Sequence, residues 1–123
     1  MSRSPIVLLG TLASLALAQA VAAQPVARIQ VSAIKPLLIR AIEQGAAYGV
    51  LVGEAATYIR HKFDSAAAIE IDVRALYALR EPGCSRLEVT TRQKDVLEKT
   101  KRGDKELVYQ VSYCRDGRFA DKR

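Results

Sequence analysis

Cys84, Cys114 and His61 are the side chains whose types suit chemistry beyond simple charge. A catalytic thiol needs a base beside it, and the one histidine sits between Arg60 and Lys62 at the basic end of a helical segment. Two cysteines and one histidine also fall short of the four ligands of a structural zinc site. Glu70 and Asp72 share one face of an alternating stretch, but acid–base work needs an enclosed polar pocket, so a solvated sheet face suits them better. Arg102-Gly103-Asp104 spells an adhesion tripeptide at an expected loop tip, yet three-letter matches recur by chance. No phosphate loop, G-x-S-x-G or H-E-x-x-H is present, and without asparagine there is no N-glycosylation acceptor. These residues predict no enzyme, no cofactor and no metal. They leave a disulfide between Cys84 and Cys114.

The start of the chain supports that assignment. Arg3 precedes an apolar run, Ile6 to Ala18, and then the small residues AQAVAAQ. This is the order of a secretory signal peptide, with an apolar run short for a membrane span; an uncleaved anchor is the alternative. Three small-residue triplets end at Ala20, Ala22 and Ala23, and cleavage after Ala23 is preferred. Residues 1–23 then leave a chain of about 100 residues, one small domain with no transmembrane span and a periplasmic or secreted address. An exported chain with two cysteines favours one disulfide.

The whole chain carries 19 basic and 13 acidic side chains, a net +6; only Arg3 lies in the leader, so the remainder keeps +5. Such a surplus favours weak contact with anionic polymers. No basic stripe interleaved with aromatics is present, so specific nucleic-acid binding is not expected.

Residues 24–32 read as a lead-in or an edge strand, and residues 33–117 as a single domain. Pro36 suits a first helical turn, Leu37, Leu38, Ala41 and Ile42 follow at helical spacing, and Gly45 is a stop. Residues 45–53 are ambiguous. Three glycines and two valines argue for a break, with Gly49 and Gly53 bounding a short apolar connection. The alternative is one continuous helix with a ridge of small residues. A second helix is expected over 54–63, acidic at its start and basic at its end.

The period then changes to two. Ile69, Ile71, Val73 and Ala75 alternate with Glu70, Asp72 and Arg74; Leu87 and Val89 alternate with Arg86, Glu88 and Thr90, and Leu107, Tyr109, Val111 and Tyr113 with Val108, Gln110 and Ser112. Pro82-Gly83 is a turn. The charged segment 92–106 is expected as a solvated loop or a long hairpin end, and residues 118–123 as a flexible tail.

The cysteines and the alternation agree in parity. If Cys84 faces Cys114 in an antiparallel hairpin, Leu87 lies opposite Val111 and Val89 opposite Tyr109, while Arg86 faces Ser112 and Glu88 faces Gln110. One face is apolar and the other polar, as a sheet under helices requires. A bridge closing about 31 residues stabilises the fold by roughly 3–4 kcal/mol in the chain-entropy model.

The segments AIEQGAAYGVLVGEAA, IEIDVRAL, PGCSRLEVTTRQ and YQVSYCRDGRF together resemble small exported proteobacterial proteins encoded with conjugative-element and type IV secretion genes. The likeness covers nearly all of the chain after the leader. It is carried by glycines, the cysteine pair and strand alternation, so no functional residue transfers with it. What it implies is a setting, the periplasm of a Gram-negative cell beside a DNA-transfer apparatus.

The expected fold is α+β: two short helices packed on a three-stranded antiparallel sheet with one disulfide-stapled hairpin. The expected function is that of a non-enzymatic periplasmic accessory protein binding another envelope protein, in a conjugative DNA-transfer system. A sheet edge or the segment holding Gly45, Gly49 and Gly53 is the expected contact, because backbone approaches closely at glycine. The second reading is a small-ligand or cell-wall-polymer binder using the basic surface. A pocket of convergent polar groups favours the ligand reading; an open strand edge or exposed apolar patch favours the partner.

Overall fold

Gly45 turns the chain from its first helix into a strand within one residue. A computed structural model describes residues 26–121 together with Gly10; the leader and its cleavage site lie outside the described residues. Strand β1 (Ile29–Val31) is followed by α1 (Lys35–Gln44), whose first turn holds Pro36. At Gly45 the backbone takes φ 90°, its N–H bonds the Ala41 carbonyl, and β2 (Ala46–Leu51) begins at the next residue. The β1–α1–β2 crossover makes β1 and β2 parallel, with Ile29 beside Gly49.

The remaining elements are α2 (Glu54–Lys62), β3 (Glu70–Ala78), β4 (Cys84–Glu98) and β5 (Lys101–Cys114). The sheet is five-stranded in the order β1-β2-β3-β4-β5, antiparallel everywhere except at β1–β2. Three antiparallel strands were too few. Residues 46–51 form an inner strand, neither a connection nor a helix: Ala47, Gly49 and Leu51 face inward and Tyr48 faces out. The small residues make room for α1. A Cβ on Gly49 would stand 2.7 and 2.9 Å from the two methyls of Leu37, which is fully buried.

Leu37, Leu38 and Ala41 of α1 share one core with Ala47, Leu51, Ile71, Val73, Leu87, Val89 and Tyr113, and Val111 lies at its margin. Helix α2 contributes less; only its Ala56 is buried, with Ile59 partly so. No helix among the described residues is long and apolar enough to cross a membrane.

Segment 92–106 is the far end of a long hairpin. The register that sets Cys84 opposite Cys114 runs unbroken to Gln93 opposite Lys105. A bulge between Gln93 and Val96, with Asp95 at φ 54°, shifts it before the tip at Lys99. The tip is moored to the loop after α2: Leu97 N–H donates to the Phe63 carbonyl at 2.8 Å, and Ser65 Oγ donates to the Lys94 carbonyl at 2.7 Å.

Cys84 and Cys114 form a disulfide across directly opposed strand positions, with Cα atoms 3.9 Å apart and both residues 2% exposed. Residues 118–120, expected as the start of a flexible tail, pair back onto the end of β5. Cys114 N–H donates to the Arg118 carbonyl and Ala120 N–H to that of Ser112. Phe119 meets Tyr113 edge-on at 5.1 Å. Arg118 also pairs with Glu81 and Asp116, which tie this return to the β3–β4 turn.

Candidate functional site

The outer edge of the sheet at β5 is the most exposed part of any strand. All of Lys101–Gln110 is exposed, although it is hydrogen-bonded to β4 along its inner side. Side chains alternate across the sheet. On the helix side, the row Gly49–Ile71–Thr91–Leu107 begins beneath Leu37 and ends at Leu107, which is 55% exposed. On the opposite face, the row Tyr48–Asp72–Thr90–Val108 ends at Val108, 50% exposed. Between them Tyr109 is 37% exposed, and partial burial raises its phenol pKa above the ordinary value of 10.0. Three successive apolar or aromatic residues thus stand at a sheet edge.

The backbone direction there follows from the return segment. Ala120 takes the Ser112 carbonyl and Arg118 the Cys114 N–H, so even-numbered positions of β5 direct their N–H and C=O outward. Residues 112–114 are covered by that return. Glu106, Val108 and Gln110 present their backbone groups to solvent among the described residues.

Glu70 and Asp72 share the polar face, as their spacing predicts. Both are engaged with arginines. Arg28 reaches Glu70 and Asp72 at 2.6 Å each, and Arg92 pairs with Asp72 from the next strand. The neighbouring Asp72 raises the Arg92 pKa above its ordinary value. Asp72 is thereby held between two guanidiniums that join β3 to β4 and to the segment before β1.

His61 lines an open groove of about 680 Å³ between α2 and the hairpin tip, with Arg60, Asp64, Asp95 and Arg102. Arg102 bonds the Asp64 carbonyl and faces Asp95, so the Arg-Gly-Asp tripeptide lies in strand β5 with its arginine engaged, not at a loop tip. The Nε of Arg60 is buried without a hydrogen-bond partner among the described residues. Ser65 is committed to backbone, donating to Lys94 and accepting from Ala67 N–H.

Gly49 lies inside the molecule against Leu37, whereas Gly45 and Gly53 are exposed and take positive φ at the two ends of β2. The Glu81 carboxylate lies within 4.8 Å of both sulfurs, which are joined and offer no thiolate. The β5 edge was named only generically from sequence. Which strand ends a sheet depends on long-range pairing that local pattern does not encode.

Comparison of the chain with protein-family models, with curated proteins and with solved structures finds no match.

Proposed function

We propose that this is a non-enzymatic periplasmic accessory protein that binds another envelope protein through the β5 edge, in a conjugative DNA-transfer setting. The observation that carries the reading is the edge itself. Glu106, Val108 and Gln110 offer unpaired backbone groups beside exposed Leu107, Val108 and Tyr109. An extended partner segment adds to such an edge by main-chain hydrogen bonds, and alternate side chains supply selectivity. Proteins that keep an edge free of partners blunt it with lysine and other charges, proline or bulges. Lys105 and Glu106 stand at the start of the run, but 107–111 carries neither charge nor proline, and the β4–β5 irregularity lies beyond it, between Gln93 and Val96. The export address and the conjugative setting rest on the leader pattern and on the resemblance described above.

A photo-crosslinking side chain placed at Val108, in the native envelope, is expected to capture a discrete protein, and one placed at the exposed Tyr58 of α2 to capture none. Recovery of cell-wall fragments alone from position 108 would reject this reading.

The second reading, a binder of small ligands or cell-wall polymer, is favoured by the unpartnered Arg60 Nε in the α2 groove. Loss of polymer retention on Arg60→Ala, with the β5 crosslink unaffected, is its expected signature.

A further inference from the structure

The free run of β5 is complementary to itself. We infer that its resident occupant is the β5 strand of a second copy of this chain, paired antiparallel about Val108. The inference rests on reading β5 as the contact edge and names what occupies it before any other protein does.

The register follows from three observations. Outward backbone groups belong to even-numbered residues, so a two-fold pairing must set even positions opposite even ones. The return segment already holds the Ser112 carbonyl, which ends the available run at Val111. The exposed apolar residues 107–109 lie at the centre of the run 105–111.

Centred on Val108, each pairing is compatible. Val108 exchanges both backbone hydrogen bonds with its copy, and Glu106 faces Gln110. Leu107 faces Tyr109 on the helix side, where each covers apolar surface of the other. Lys105 faces Val111, and the next pair would run into the return segment at Ser112. No like charges oppose one another. Centring on Glu106 instead sets two carboxylates face to face, which is unfavourable. Centring on Leu107 sets Glu106 against Val108, and centring on Tyr109 shortens the overlap because Glu106 then meets the covered Ser112.

One short strand pair buries less than the roughly 1,200–2,000 Å² of a stable interface. The pairing is therefore reversible and concentration-dependent, and a competing strand is able to displace it.

Sedimentation equilibrium of the oxidised protein recovered from expressing cells tests the inference. The mass should rise with concentration toward twice the monomer value. Val108→Pro removes an outward N–H that the β4–β5 ladder does not use, and should hold the mass at that of one chain. Val108→Cys should give a disulfide-linked dimer on mild oxidation, whereas Gln110→Cys, facing Glu106 of the other copy, should not. That pair of variants decides the matter even if the proline variant folds poorly. A wild type monomeric at every concentration, or Gln110→Cys crosslinking as readily as Val108→Cys, would overturn self-pairing. A monomeric wild type whose position 108 still captures an envelope protein rejects self-pairing and keeps the partner reading. A dimer with no captured protein does the reverse.

Discussion

Leu37 of α1 rests directly on Gly49 of β2, where an added Cβ would stand 2.7 Å from one leucine methyl and 3.2 Å from the Ile29 carbonyl. The contact sets how closely the first helix approaches the sheet, and through Ile29 it constrains the parallel β1–β2 pair. Leu37 is fully buried and has little room to retreat. Gly49→Ala is therefore expected to destabilise the fold by about 1–3 kcal/mol, despite alanine's lower conformational entropy cost. Urea unfolding measures this. Adding Leu37→Val should recover part of the loss, because the two sites share one contact; strict additivity would show that the clash is not the cause.

The same contact shows why β2 was hidden in the sequence. Alanine and glycine at 47 and 49 suit a helix ridge, a break or a strand beneath a helix, and only the position of Leu37 distinguishes them. Strand β1 is three residues long, too short to show a period, and its parallel pairing is created by α1. The opposite case is the Cys84–Cys114 hairpin. Apolar alternation and the cysteines fixed its register as far as Thr91 opposite Leu107, because one face of β4 packs on the core; the structure carries the same register on to Gln93. Segment 92–106 lost that signal where β5 is exposed on both faces, leaving no alternation of burial for a pattern to record. That β5 ends the sheet was illegible for a different reason: its alternation at 107–113 marks a strand but not which strand pairs last.

The disulfide holds the open end of that hairpin, and both cysteines are 2% exposed. Its removal by Cys84→Ala with Cys114→Ala is expected to lower stability by roughly 3–4 kcal/mol, the effect of releasing a loop of this length in the unfolded chain. Reductant should lower the urea midpoint of the wild type and leave the double variant unchanged. Intact-mass analysis without reductant should find both thiols blocked within one chain; free thiols would sink the staple.

Asp72 joins three strands electrostatically, accepting from Arg28 beside β1 and from Arg92 on β4 while itself on β3. Asp72→Ala leaves two partly covered guanidiniums facing each other. The expected cost is about 1–3 kcal/mol, the range for losing hydrogen bonds to charged groups. Because the site remains partly open, added salt should narrow the gap between variant and wild type. A gap indifferent to salt would mean that packing, not charge, carries the contribution.

Tyr109 adds an alkaline dependence with a definite sign. Burial disfavours its phenolate, so the folded-state pKa lies above the 10.0 of the exposed group. Above pH 10 the unfolded chain releases this proton first and binds fewer protons than the native state, so stability falls as pH rises toward the folded value. Below pH 10 both states are protonated and the residue contributes no slope. Tyr109→Phe should reduce the alkaline decline and leave the neutral range unchanged, as read from unfolding midpoints on both sides of pH 10. Pairing of β5 with a second strand would cover the ring further and move the wild-type phenol titration still higher at high protein concentration. A titration curve independent of concentration, in a sample that sediments as a dimer, would place the contact away from Tyr109.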